Sequence, residues 1–345
     1  MSDARTAWAE PDPQDLGGGV FRVPLPLPND GLRAVNVYAI ESDTGLVMID
    51  GGWALAESED RLAASLKHLG FSMADITTFL VTHMHRDHYT QAIAVRRKFG
   101  ARVSVGAGEE PNLRATVEWT RGERSAIDVD HLLRAGAGSL VERLQLLRSD
   151  EQPGSAEDWE APDEWLADDA RITAGSRTLR VIATPGHTRG HVVFHDAQAE
   201  LLFAGDHVLP QITPSIGFEP AKAPLPLRDY LQSLRLMQEL PDARLLPAHG
   251  PATGSVHERV GELLAHHEDR LSATAQVALA GAATALEAAT ALPWTRRGFP
   301  FENLDLFNQL LAVSETAAHL DVLVLQGRLA SSRTAEGVQL YQAVR

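Results

Sequence analysis

Four apolar runs in this chain stop at a histidine or an aspartate, and that recurrence constrains the fold more than any other feature. Residues 76–82 enter His83-Met84-His85-Arg86-Asp87-His88, and residues 179–183 lead to Thr184-Pro185-Gly186-His187-Thr188. Residues 201–204 lead to Gly205-Asp206, and Leu245-Leu246-Pro247-Ala248 leads to His249-Gly250. Short apolar runs bounded by turn residues read as buried strands, so four strand ends each deliver a metal-binding side chain type. Side chains alternate along a strand, so His83 and His85 point the same way and can meet one cation. Asp87 and His88 follow where the chain must turn, and can face a second site beside the first. Two cations roughly 3.5–4 Å apart can share one water-derived nucleophile. A His-rich surface turn accounts for one such strand end; it does not account for four.

The series HMHRDH, PGHT, GD and PAHG resembles the metallo-β-lactamase-fold hydrolase superfamily, over about residues 17 to 255. The resemblance implies an α/β fold, an αββα four-layer sandwich, and two divalent metal ions. It implies His83, His85 and His187 on the first metal, Asp87, His88 and His249 on the second, and Asp206 as a bridge. Asp50, which ends Leu46-Val47-Met48-Ile49 and precedes Gly51-Gly52, matches an aspartate that orients a ligand without binding metal. Read by itself, Asp50 is also an ordinary turn former.

Cysteine is absent, so ligation falls to imidazole and carboxylate, a set that suits zinc and is also accepted by iron and manganese. The 44% hydrophobic content excludes disorder as the main state. A formal charge of −15 argues against a nucleic-acid partner or an anionic membrane and favours a small-molecule substrate; a homo-oligomer remains open. Acidic residues stand near the N-terminus where a secretory signal needs an apolar core, and no run of about twenty apolar residues occurs. The cytoplasm is the expected location.

Along the chain, residues 1–16 read as a flexible tail and 17–291 as the catalytic domain, within which 107–168 form a helical insert expected to cap the metal cleft. The insert is expected to carry helical patches at 113–123 and 140–147 and a loop near Pro153-Gly154. Its His131 reads as a packing or solvated residue rather than a substrate contact. His207 adjoins Asp206, but strand alternation aims it away from the metals. Residues 255–271 and 272–291 read as two helices, with His257, His266 and His267 on a solvated face. Residues 292–345 resemble a small winged-helix-like C-terminal domain: a helix over 303–313, a second over 314–326 entered through Ser314 as N-cap, and a hairpin over 328–341. From residue 293 on it carries five Arg against five acidic residues, which lacks the basic excess of a DNA-binding module.

The chemistry expected from this resemblance is attack by a metal-bound hydroxide on the carbonyl of a small thioester or ester, as in glyoxalase II-like enzymes. Asp87 is the catalytic residue, placed to orient the nucleophile or accept a proton. A lactonase, a phosphodiesterase or ribonuclease, and a mononuclear iron dioxygenase are the competing readings. A secreted zinc β-lactamase fits less well, because Asp206 stands where the main type carries a cysteine. A flavodiiron protein fits less well because His85 is present, and a non-enzymatic module because the ligand set is complete.

Overall fold

The computed structural model describes residues 7–28, 31–123, 128–147, 155–295 and 298–344. Among these residues one sheet has the order β1 (Gln14–Gly17), β2 (Val20–Pro26), β3 (Ala34–Ser42), β4 (Gly45–Ile49), β5 (Ile76–Val81), β6 (Arg102–Gly106) and β7 (Glu164–Leu166). A second sheet contains β8 (Arg171–Ala174), β9 (Arg177–Ala183), β10 (Val192–Asp196), β11 (Leu201–Gly205) and β12 (Arg244–Pro247), in the order β12-β11-β10-β9-β8. The helices are α1 (Ala56–His68), α2 (Arg86–Phe99), α3 (Glu110–Thr120), α4 (Val129–Arg134), α5 (Gly138–Leu147), α6 (Pro226–Glu239), α7 (Val256–Leu279), α8 (Ala285–Ala291) and α9 (Leu306–Leu325). A hairpin, β13 (Leu329–Arg333) and β14 (Gln339–Ala343), follows α9.

Strand alternation explains the layers. In β5, Phe79 and Val81 join the core under α1 and α2, while Leu80 faces the other sheet. In β11, Phe203 meets the first sheet, while Leu202 and Ala204 face the helices on the far side. Tyr38 and Phe203 touch edge to face across the gap, with ring centroids 5.3 Å apart. Away from their edge strands both sheets are thus covered on both faces, which is why strands such as β4, β5, β10 and β11 read as largely apolar runs, and the arrangement is the expected αββα sandwich.

Several boundaries differ from expectation. The N-terminal tail stops short of residue 14, because Gln14–Gly17 pair with β2 as an edge strand. The insert supplies β7, which pairs with β6 in the first sheet. Its α3 packs on that sheet's outer core through Leu113, whereas Leu132 and Leu140 of α4 and α5 join the core of the second. The insert is therefore woven into both outer layers rather than hung from one. The loop expected near Pro153-Gly154 lies outside the described residues.

Towards the C-terminus, α7 runs unbroken past residue 271 and stops before Gly281, whose φ of 117° only glycine adopts easily. The two helices expected over 303–326 are one, α9, capped by Asp305, whose side chain accepts from Asn308 N. Ser314 lies buried in the middle of it. Leu310, Val313, Leu320 and Leu323 share a core with Leu227 and Tyr230 of α6 and Leu271 of α7. No break in packing separates the described residues before 292 from those after it.

Candidate metal centre

The strands that deliver the chemistry point the same way. β4, β5 and β6 are parallel, as are β11 and β12, and β9 parallels β11 because each is antiparallel to β10. Their C-terminal ends meet at one edge of the sandwich. Val192 N donates to Thr82 O at 2.9 Å and Asn36 N to Ala248 O at 2.7 Å, so backbone hydrogen bonds tie the two sheets together at that edge.

There the predicted residues converge into two sets of facing donor atoms: His83, His85, His187 and Asp206, and beside them Asp87, His88 and His249. In the first, His85 Nδ1 lies 3.0 Å from both His83 Nε2 and His187 Nε2, and Asp206 Oδ2 lies 3.5 Å from His187 Nε2. In the second, Asp87 Oδ2 is 3.7 Å from His88 Nε2 and 3.5 Å from His249 Nε2. Asp206 Oδ1 lies 3.7 Å from His88 Nε2 and 3.4 Å from His249 Nε2. The two oxygens of Asp206 thus face different sets. Tetrahedral zinc with bonds of about 2.0–2.1 Å has ligand atoms about 3.3 Å apart, and the spacings bracket that value.

Hydrogen bonds on the far side of the rings fix which nitrogen faces inward. Nδ1 of His187 donates to Ser215 O at 2.8 Å, and Nδ1 of His249 to Ala34 O at 2.8 Å. Nδ1 of His88 is 2.9 Å from Asp50 Oδ2. Thr82 Oγ1 donates to Asp50 and so accepts from Nδ1 of His83 at 3.1 Å. Each of these imidazoles therefore turns Nε2, a lone pair when the ring is neutral, into the centre. Asp50 also accepts from Thr82 N at 2.8 Å, and its φ of 60° lies in the left-handed region. It fills the orienting position expected of it.

The electrostatics agree with cation binding. Burial, reinforced by the neighbouring imidazoles, holds His83 far below the usual histidine range, and burial with His187 lowers His85 to about 3, so both rings are neutral. Burial also acts on His88 and His249, but nearby carboxylates outweigh it: Asp50, Asp87 and Asp206 raise His88 to about 10, and Asp206 and Asp87 raise His249. Burial likewise pushes Asp87 and Asp206 up, yet the facing histidines hold both below the carboxylate range. Without a metal, His88 Nε2, His249 Nε2 and Asp206 Oδ1 are buried with no hydrogen-bond partner. A buried polar atom without a partner costs roughly 1–3 kcal/mol, and a shared cation satisfies all three. The residues present fit a metal.

The pattern in sequence did not reveal the groups that brace this edge. His191 stacks on His83 with ring centroids 5.0 Å apart, bonds Thr184 Oγ1 at 2.8 Å through Nδ1, and accepts from Asp206 N at 3.2 Å. Glu109, fully buried, accepts from Thr188 Oγ1 beside His187 and from the backbone N–H of Met84 between His83 and His85. Asn112 Nδ2 bridges Glu109 and Glu219 at 2.7 and 2.8 Å, and Glu219 accepts from Arg189 N at 2.8 Å. Burial, opposed by Thr188 and Asn112, pushes Glu109 up to about 7. This network pins two ligand-bearing loops to each other. Close approach makes it possible, since a Cβ on Gly190 would collide with the backbone of Gly108 and Glu109.

The remaining histidines separate cleanly. His207 is buried beside His191 and Tyr230, with neither ring nitrogen in the metal sets. His131 sits against Lys222, away from the centre. His266 is exposed, but the solvated face expected for its neighbour is corrected: His267 is fully buried and stacks on His319. Arg86, exposed between His85 and Asp87, lays its guanidinium 4.0 Å over Trp53.

The model of the metallo-beta-lactamase superfamily matches residues 30–249, and the chain belongs to that superfamily. It is 26% identical to the probable metallo-hydrolase YqjP of Bacillus subtilis, over 90% of this chain and 93% of that protein. It is 29% identical to a hydroxyacylglutathione hydrolase of Cereibacter sphaeroides over 39% of this chain and 34% of that one. An atrochrysone carboxyl ACP thioesterase of Aspergillus fumigatus is 25% identical over 66% of this chain and 55% of its own. Some matches are more local: the chain spans 28–33% of the length of curated relatives matched at 31–34% identity. A metallo-beta-lactamase family protein from Thermus thermophilus superposes with a TM-score of 0.72 at 26% identity, covering 96% of this chain and 100% of that one. A beta-lactamase domain protein from Burkholderia ambifaria shares the fold, with a TM-score of 0.80 at 24% identity, covering 99% and 97%.

Proposed function

We propose that the protein hydrolyses a carboxylic thioester or ester of a small molecule at a centre of two divalent metals. His83, His85 and His187 would hold one, Asp87, His88 and His249 the other, and Asp206 would serve both. The observation that carries this reading is Asp206, whose two oxygens face separate sets of inward-turned donors. The all-imidazole and carboxylate set suits zinc, with iron or manganese as alternatives. When bound, such a pair supplies an ionised water near neutral pH and a Lewis acid for the carbonyl oxygen.

The chain's own residues prepare that attack. Asp50 fixes His88, and Asp87, at the first turn of α2, would orient the nucleophile or take its proton. Loops on both sides of the centre are joined to the insert through Glu109, which supports 107–168 as the segment that shapes substrate access. Similarity to a hydroxyacylglutathione hydrolase and an ACP thioesterase favours a thioester over a phosphodiester.

The test is metal analysis of the purified protein together with a panel of thioesters, esters, lactones and phosphodiesters. Two metals per chain and preferred thioester or ester turnover are expected. One iron per chain with oxygen consumption and no hydrolysis overturns the proposal in favour of a dioxygenase.

A further inference from the structure

The loop that leaves Asp206 connects the metal edge to a second polar crevice. It gives Ser215 O to His187 and continues to Lys222. A cavity of about 280 Å³ opens there, lined by Asp128 at the cap of α4, His131 and Arg134 within it, Lys222 of the loop, Asp321 of α9, and Arg333 and Tyr341 of the C-terminal hairpin. Three parts of the chain far apart in sequence build it: the insert, the loop after Asp206, and the C-terminal segment.

Lys222 is half-buried, with Nζ 3.0 and 3.2 Å from the two ring nitrogens of His131. Burial and Lys222 itself lower His131 to about 3, so the ring is neutral and offers no countercharge. No carboxylate oxygen among the described residues lies within 4.0 Å of the ammonium. The acidic groups of the wall are committed elsewhere: Asp128 caps α4 by accepting from His131 N at 2.9 Å and faces Arg134 at 4.0 Å, and Asp321 accepts from Tyr341 Oη at 2.8 Å. Arg333 uses Nε on Gln339. An ammonium withdrawn from water is costly unless paired, and here Asp321 and Asp128 act on it only through space, with no oxygen of theirs at ion-pair distance.

We propose that this crevice is an anion site, in which Lys222 with Arg333 and Arg134 holds a carboxylate or phosphate group. Guanidinium forks match the planar or tetrahedral oxygens of such groups, and the ammonium supplies a compact charge at the base. At about 280 Å³ the cavity falls just below the roughly 300–1,000 Å³ of drug-sized sites, so it admits a small anion or the charged end of a larger molecule. Two sources fit that chemistry: a free anion acting as an effector, or the anionic arm of the substrate. The loop shared with His187 couples a bound effector to the metal edge, whereas the second source requires a substrate long enough to reach from the crevice to that edge.

Calorimetric titration with acetate and sulfate, at constant ionic strength, tests the site without reference to catalysis. Saturable binding is expected in the wild type, weakened at least about ten-fold in Lys222→Met and less than about three-fold in Lys222→Arg. Thermal melts of the variants establish that they fold. Burial lowers Lys222 to about 8, with Asp321 and Asp128 opposing the shift, Arg134 adding to it and Glu219 opposing it from the same loop. Affinity therefore falls as pH rises through about 8 in the wild type, because the ammonium is lost, and stays level in Lys222→Arg. No saturation in the wild type, or equal affinity in Lys222→Met, overturns the proposal.

A second arm, which rests on the proposed hydrolase reading, separates the sources. If KM rises in Lys222→Met only for substrates that carry a carboxylate or phosphate, the anion is the substrate's own. If KM is unchanged for charged and neutral substrates alike while acetate binding is lost, it is a free effector.

Discussion

Two clusters of buried histidines in this molecule have opposite surroundings. At the metal edge, four rings have Nδ1 fixed by Thr82, Asp50, Ser215 and Ala34, so that Nε2 turns inward onto Asp87 and Asp206. Between α7 and α9, His267 and His319 stack with rings 5.4 Å apart, and His267 Nδ1 meets His319 Nε2 at 3.2 Å. His319 Nδ1 donates to Glu315 O, leaving no third donor converging on the pair among the described residues. The carboxylates raise two rings at the first cluster, whereas burial lowers both at the second. Histidine proximity alone does not make a metal centre; oriented lone pairs and facing carboxylates do.

The largest effect expected from breaking that difference is at Asp206. Asp206→Ala removes an oxygen from each set, so metal analysis should show both cations depleted and thioester turnover reduced far beyond the about 10–100-fold cost of losing an outer partner. Depletion of a single cation would deny it the bridging role. His85→Ala comes next: activity should collapse with selective loss of one metal. Full activity at unchanged occupancy contradicts its place in the first set.

Glu109→Ala should cost about 10–100-fold in metal affinity, because Thr188 and the Met84 backbone lose their common anchor. Glu109→Gln, whose single carbonyl oxygen can still accept from Thr188 and Met84 but not also from Asn112, should recover part of it. Affinity unchanged in both variants would reduce this network to packing. The smallest effect belongs to the other cluster: His267→Leu should leave metal content and kcat within about two-fold, and change stability by no more than about 3 kcal/mol in thermal melts.

The sandwich and the meeting of its candidate ligands were legible because the site's strands close on largely buried apolar residues and are followed by a His or Asp. Asp50 was readable for the same reason. The C-terminal helices were harder. Residues 306–325 are apolar almost all round, so Ser314 looks like a cap in sequence while both sides of it are helix inside a shared core. His267 carried a usable signal: it falls on the stripe Val256, Val260, Leu263, His267, Leu271, all buried at helical spacing, while its flanking acidic residues suggested solvent. Glu109 and His191 carried none, since the partners that tie them to the ligand-bearing loops lie 79 and 15 residues away, at Thr188 and Asp206. Only the assembled edge gives them a role.

X-ray absorption spectroscopy on the metal-loaded protein tests the central claim most directly. Two metals held by these seven side chains should give a metal–metal scattering path at roughly 3.5–4 Å, lost in Asp206→Ala. A single metal without such a path in the wild type, at saturating metal, would contradict the account.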